Sequence, residues 1–222
     1  MYRPPAIVAF LLASVAAGCG SPTEAAWPDG AVLSPTPDAT IRPVDLELGC
    51  LGWAGHSGDD VRCGEWDTAS GRRGWLIERD DVTASLQISL LRIEDGGVVS
   101  AAVARDTDGS YRGIEAEPFD LDGDGVIDAV AVGYRLAGTG DVLVVEVVEA
   151  DDLVPTATVT LDGGRAAVGL GGVDVWEAVF APEDPNCCPS AFRHSLLTRE
   201  AQRWLLVEQA MVGPDDVPES QL

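Results

Sequence analysis

The feature that most constrains the fold is a series of short apolar runs separated by residues that favour turns. Residues 86–90 alternate apolar and polar side chains with a period of two, which is typical of a half-buried β-strand. A hairpin is predicted where the turn 95–97 leads into the run 98–104. Further runs follow at similar spacing, at 129–132, 143–148, 157–161, 173–180, 195–198 and 204–207. This pattern predicts an all-β, antiparallel domain with few or no helices, either a sandwich or an open curled sheet.

One segment fits two kinds of secondary structure. Val82, Leu86, Leu90 and Ile93 also recur at the spacing of one helical face, so a helix competes with the strand prediction there. No long amphipathic helix with capping residues is found elsewhere.

Composition and charge limit the class of protein. The chain has 222 residues, of which 46% are hydrophobic, enough for one domain with a proper core. It carries 37 acidic against 14 basic side chains, a formal net charge of −23. Because phosphates are repelled by such a field, we expect no binding to nucleic acid.

The N-terminus has the features of a secretion signal. Arg3 precedes an apolar run at 6–15, and small residues follow up to Gly18. That run is shorter than the roughly 20 residues a membrane-spanning helix needs. Cys19 after Ala-Ala-Gly resembles the bacterial lipobox, which implies a signal peptide at 1–18 and a lipid on Cys19. The alternative is an ordinary signal cleaved near Ala17, which would leave Cys19 as a plain thiol.

The domain organisation follows from that signal. Five prolines at 20–43 predict a semi-stiff tether at 19–43, which begins with lipidated Cys19. A single β-rich domain is predicted at 44–213 and a disordered tail at 214–222. We therefore expect an exported protein of the bacterial cell envelope that is held to the membrane by its lipid. In a cell with two membranes the outer membrane is the expected one, because Gly20 stands where an inner-membrane retention signal has Asp.

Four further cysteines indicate disulfides in an exported chain. Cys50 and Cys63 flank a glycine-containing loop, so a local bridge between them is easy, and Cys187 and Cys188 would then form an unusual bridge between neighbours. In the alternative, Cys187 or Cys188 reaches Cys50 or Cys63 and joins the two ends of the domain.

Residues 120–128, Asp-Leu-Asp-Gly-Asp-Gly-Val-Ile-Asp, are the segment that indicates a chemistry. A sharp turn at Gly125 lets acids at alternate positions converge, and carboxylate and carbonyl oxygens are the ligands that calcium prefers. Carboxylates this close repel one another unless a cation lies between them. We therefore predict a structural Ca²⁺ ion bound by Asp120, Asp122, Asp124, the carbonyl of Val126, and Asp128.

This loop and the apolar run after it resemble one FG-GAP or integrin-α-type repeat, in which a DxDxDGxxD loop precedes a strand and the metal braces the hairpin. The match covers about 35 residues. Position twelve is Ala131 rather than the Glu of an EF-hand. The order of turns from residue 120 to about 209 also resembles exported bacterial proteins of unknown function. The resemblance thus implies a calcium-braced hairpin in an exported protein and no activity.

Two functions remain open at this point. The first is a non-enzymatic envelope lipoprotein whose β domain binds a protein or glycan partner. The second is an envelope hydrolase that uses Ser57 and His194 or a pair of acids. A nucleophile elbow needs Gly two residues after the serine, but Asp59 stands at that position after Ser57. The sequence therefore favours the binding protein.

Overall fold

The computed structural model describes residues 23–24, 32–36, 41–42, 61–79, 83, 85–95, 97–106, 110–137 and 141–222. Within these residues the fold is all-β and antiparallel, which confirms the predicted class. One short 3-10 turn, Pro214–Asp216, is the helical element of the described segments. None of them contains a helix that is long and apolar enough to cross a membrane.

The strands form three open sheets, each built on four strands that are consecutive in the chain. The N-terminal sheet has the order β2-β6-β5-β4-β3, from β2 Ser34–Pro35, β3 Val61–Thr68, β4 Gly71–Arg79, β5 Leu86–Glu94 and β6 Gly97–Arg105. The central sheet has the order β10-β9-β8-β7, from β7 Tyr111–Phe119, β8 Ala129–Leu136, β9 Val142–Glu149 and β10 Pro155–Asp162. The C-terminal sheet has the order β1-β14-β13-β12-β11, from β1 Thr23–Glu24, β11 Arg165–Gly169, β12 Gly172–Val179, β13 Ala191–Glu200 and β14 Arg203–Val212.

The three sheets are stacked, with the central sheet between the other two. Side chains of a strand point alternately to its two faces, and both faces of β8 and β9 are buried. Val130, Val132 and Tyr134 pack against the N-terminal sheet in one hydrophobic cluster. Ala129 and Ala131 face the C-terminal sheet in a second cluster. The domain thus has two cores, one on each side of the central sheet.

The structure decides the ambiguous segment in favour of a strand. Leu86–Glu94 forms β5, paired on one side with β4 and on the other with β6, so the helical alternative is wrong. Strands β3, β7 and β11 were not among the predicted runs. In β3 and the neighbouring β4, the side chains of Arg62, Arg72 and Arg73 weaken the apolar alternation that marks a strand.

The segment predicted as a tether supplies two edge strands. Thr23–Glu24 pairs with β14, and Ser34–Pro35 pairs with β6. Leu33 is buried in the core beside the N-terminal sheet. Pro35 lies in an edge strand, where a missing N–H group breaks no ladder. The folded domain therefore includes described residues of the 19–43 segment and does not start at 44.

Residues 214–222 are packed against the domain, in contrast to the predicted disordered tail. Val217 packs with Trp176 and Phe192 on the outer face of the C-terminal sheet. The backbone N–H of Gln221 donates to the carbonyl oxygen of Ala166 in β11, at 3.0 Å. The side chain of Leu222 is then buried between the central and C-terminal sheets. The segment thus wraps around the β11 edge.

Gly133 leaves the space that Leu222 fills. A Cβ atom on Gly133 would lie 2.7 Å from the Cβ of Leu222, closer than side chains approach each other. A side chain at position 133 would therefore displace Leu222 from the core.

Replacing Leu222 with Ala is expected to destabilise the domain. The substitution removes buried methyl groups and leaves a cavity between two sheets, which typically costs about 2–5 kcal/mol. The free energy of unfolding, measured by urea titration, should fall by an amount in that range.

Leu170→Ala is the matched control, because Leu170 is 86% exposed. Its effect on the free energy of unfolding should stay within about 0.5 kcal/mol. Equal effects of the two substitutions would show that Leu222 does not pack as described.

Candidate calcium loop and other polar sites

The acidic loop lies in the first hairpin of the central sheet. Residues 120–128 connect β7 to β8, and both ends of the loop are fixed by backbone hydrogen bonds. The N–H of Asp128 donates to the carbonyl oxygen of Phe119 at 3.0 Å, and the N–H of Ala150 donates to that of Asp128 at 2.9 Å. The loop therefore projects from a rigid base.

Three of the predicted acids converge in this loop. Asp120, Asp122 and Asp124 each offer one carboxylate oxygen, and these oxygens all lie within 4.8 Å of one another. Calcium binds oxygen at about 2.3–2.6 Å, so two oxygens on the same ion lie at most about 5 Å apart. The spacing and the donor chemistry of the three acids thus fit a calcium ion.

Backbone N–H groups hold the carboxylates in place. The N–H groups of Gly123 and Gly125 donate to the two oxygens of Asp120, at 2.7 and 2.6 Å. These bonds, that from Gly125 above all, lower the pKa of Asp120 below its ordinary value. Both glycines have positive φ, of 80° and 91°, which other residues rarely adopt. The Asp-Gly-Asp-Gly sequence is therefore what allows Asp120 to sit ionised inside the turn.

Asp128 lies at the base of the loop, apart from the three converging acids. One of its carboxylate oxygens accepts a hydrogen bond from the N–H of Leu121 at 2.8 Å, across the base of the loop. The group of converging acids contains Asp120, Asp122 and Asp124. Asp128 thus closes the loop, and the roles of its carboxylate and of the Val126 carbonyl as ligands stay predictions.

The cysteines divide into two kinds. Cys63 in β3 is disulfide-bonded. Cys187 and Cys188 are both free and exposed, so neither the bridge between them nor a bridge from either to Cys63 is present. A trans peptide holds adjacent Cα atoms about 3.8 Å apart, whereas disulfides usually join Cα atoms about 4.4–6.8 Å apart. Cys19 and Cys50 lie outside the described residues.

His194 lies on the outer face of the C-terminal sheet. Its Nε2 atom is 2.7 Å from a carboxylate oxygen of Asp174 on the neighbouring strand. Its ring stacks on that of Trp176, with centroids 5.0 Å apart and planes inclined by 9°. Ser57, the proposed nucleophile, lies outside the described residues. The structure thus provides a histidine oriented by an acid, a pairing that requires strand register and is not visible in the sequence.

A buried carboxyl group, Glu146, was missed by the sequence analysis. It lies in β9, where the two residues before it and the two residues after it are all Val. Its side chain is fully buried. One of its oxygens accepts hydrogen bonds from the N–H of Leu33 at 3.1 Å and the hydroxyl of Tyr134 at 3.2 Å. The other oxygen has no partner in the described part of the chain. An acid within a run of valines is the signal that marks this site.

Burial decides the ionisation of Glu146. Desolvation raises its pKa from 4.5 to about 7, although the bonds from Leu33 and Tyr134 act in the opposite direction. Between these two pH values the folded state keeps a proton that the unfolded state releases. Stability therefore falls as the pH rises through that window and is then constant above it.

Replacing Glu146 with Gln is expected to remove this dependence. Gln keeps an acceptor for Leu33 and Tyr134 but never ionises. The free energy of unfolding of the variant, relative to that of the original chain, should be higher at pH 8 than at pH 5 by roughly 1–3 kcal/mol. Urea unfolding at the two pH values measures the difference.

Glu117→Gln serves as the control, because Glu117 is an exposed acid in β7. Its difference from the original chain should be the same at both pH values. If Glu146→Gln behaves in the same way, Glu146 does not titrate in this window.

A pocket lies where the ends of the central and C-terminal sheets meet. It has a volume of about 740 Å³. Its wall combines charged and aromatic side chains with the loop after β12, and includes Arg135, Asp162, Arg165, Phe180 and Cys187. Arg165 also lies over the ring of Phe192, 5.8 Å from its centroid.

Comparisons of this chain with protein-family models, with curated proteins and with solved structures find no match.

Proposed function

We propose that this chain is an exported, lipid-anchored protein of the bacterial cell envelope that binds a protein or glycan partner and is stabilised by calcium. The observation that carries the proposal is the convergence of Asp120, Asp122 and Asp124 in a hairpin loop. The role of the calcium ion is structural, since the loop closes a hairpin whose strands are part of both cores.

Calcium suits this loop better than other common cations. The three converging ligands are carboxylate oxygens, which hard cations prefer, and calcium accepts irregular geometry with waters filling the remaining positions. Magnesium demands near-ideal octahedral geometry and usually shares substrate phosphates. Without a cation, the three carboxylates would repel one another. A bound ion thus removes a repulsion at the tip of the central sheet.

The resemblance to FG-GAP repeats supports the same role. In those repeats the metal braces the hairpin formed by the loop and the following strand. Here the loop at 120–128 leads directly into β8, one of the two strands buried on both faces.

Anchoring by a lipid rests on the N-terminal sequence. The signal at 1–18 and Cys19 after Ala-Ala-Gly support export and lipidation. A disulfide at Cys63 is in keeping with an oxidising compartment outside the cytoplasm. A net charge of −23 supports solubility on the outside of the cell and disfavours nucleic acid as a partner.

A second candidate, an envelope hydrolase, is favoured by one observation. The 2.7 Å contact between His194 and Asp174 is the kind of pair in which an acid orients a catalytic base. However, one face of the imidazole is covered by Trp176, and Ser195, the adjacent hydroxyl residue, is buried on the opposite face of the sheet. These contacts give His194 a structural role in packing β12 against β13.

Calcium is expected to raise the melting temperature of the protein. Extracellular calcium modules have dissociation constants of about 10⁻⁴–10⁻³ M, so about 10 mM calcium should stabilise the fold by roughly 1–3 kcal/mol. For a domain of this size the melting temperature should rise by roughly 3–10 °C. Thermal unfolding in calcium, in magnesium and in chelator measures the shift.

Asp122→Ala combined with Asp124→Ala should abolish the calcium shift. Asp215→Ala combined with Asp216→Ala removes the same charge from exposed positions and should leave the shift intact. The shift between chelator and calcium is compared within each variant, so a general loss of stability does not confound the result. An unchanged melting curve in chelator would overturn the calcium proposal.

Two substitutions distinguish the binding protein from the hydrolase. If the chain is a binding protein, Ser57→Ala and His194→Ala change no turnover in a screen of ester, amide and glycoside substrates. His194→Ala should cost about 1–2 kcal/mol of stability, because it removes a hydrogen bond and a stacked ring. Turnover that both substitutions abolish would favour the hydrolase.

A further inference from the structure

Two free thiols lie side by side at the rim of the pocket between the central and C-terminal sheets. Cys187 and Cys188 are both exposed, and Cys187 lines the pocket together with Arg135 and Arg165. The function proposed above assigns no role to either thiol.

The loop that carries the thiols is held in one conformation. A single carboxylate oxygen of Asp184 accepts three hydrogen bonds, from the N–H of Ala181 at 2.7 Å and from the N–H and hydroxyl of Ser190 at 2.8 and 2.6 Å. The N–H of Cys188 donates to the carbonyl oxygen of Pro185 at 3.0 Å, which fixes the turn that leads into the pair. The thiols are therefore presented by a preorganised turn.

The two sulfur atoms are close enough to interact with each other. A hydrogen bond with the thiol of Cys187 is the main cause that raises the pKa of Cys188. The pair remains unbridged because adjacent Cα atoms are nearer than a relaxed disulfide allows. Both sulfur atoms are thus available to a ligand from outside.

The donor set selects the kind of ion. Thiolate sulfur is a soft ligand that favours copper(I), zinc and iron–sulfur clusters over calcium or magnesium. Zinc takes four ligands in structural sites, but in the described chain the one group of three or more candidate ligands is the aspartate loop. A pair of thiolates without further ligands suits a cation that is content with two-coordinate geometry.

We propose that Cys187 and Cys188 together bind one soft monovalent cation of the copper(I) class. Binding replaces two protons: two thiols and one Cu⁺ give an anionic dithiolate complex with a charge of −1 and two H⁺. Arg135 and Arg165 line the same pocket together with Asp141 and Asp162.

The test is an anaerobic titration of the full chain with Cu(I), in competition with a coloured copper(I) chelator. The expected result is one Cu(I) withheld from the chelator per chain. Cys187→Ser and Cys188→Ser should each abolish this one-to-one step, because serine oxygen is a hard and weakly acidic replacement for the thiol.

Two controls separate this result from a general loss of structure. The serine variants should keep the calcium shift in melting temperature, and the Asp122→Ala, Asp124→Ala variant should keep its bound Cu(I). Undiminished binding in the Cys187→Ser, Cys188→Ser double variant, or no competition by the original chain, would overturn the proposal. A count of zero reactive thiols in the protein as isolated would also overturn it, because it would show a disulfide between neighbours.

Discussion

The central sheet has two apolar faces, and the rest of the structure follows from the need to cover both. Strands β8 and β9 are buried along nearly their whole length, and most of their side chains on each face are small or branched. A sheet of this kind is stable only between two layers that exclude water from it. The N-terminal and C-terminal sheets supply those layers, and Leu33 and Leu222 fill the remaining space at the margins.

Polar groups attached to this apolar layer acquire unusual properties from it. Glu146 points into one of the two cores, where desolvation raises its pKa, and its hydrogen bond from Leu33 ties an N-terminal edge segment to the middle of the stack. The aspartate loop is attached to other strands of the same sheet and projects into solvent, where backbone N–H groups lower the pKa of Asp120. Burial thus raises the pKa of one carboxyl group of this sheet, whereas backbone hydrogen bonds lower the pKa of another.

The sequence predicted the class of fold and the segment in which three acids converge. It failed where contacts between distant residues decide the structure. The runs that form β5, β6, β8 to β10 and β12 to β14 are visible because their apolar residues are regularly spaced. The arginines of β3 and β4 obscure theirs, and β7 and β11 were not predicted. The unbroken apolar runs of β8 and β9 already indicate burial on both faces, but not which sheets cover them. Asp128 could not be separated from the other three acids by spacing, since its bond to Leu121 depends on how the loop closes. The pairing of His194 with Asp174 likewise requires the register of two strands.

Each sheet is a meander of four consecutive strands, and this has a consequence for how the chain reaches its fold. Pairing between successive strands is local in sequence and closes short loops, so each meander can form with little loss of chain entropy. The central meander, however, exposes two apolar faces until both of its neighbours have docked. Its hairpins gain most of their stability at that last step, so folding should be cooperative across all three sheets. An intermediate with one outer sheet undocked would expose an apolar face that favours aggregation. The net charge of −23 opposes that aggregation, because chains of like charge repel one another.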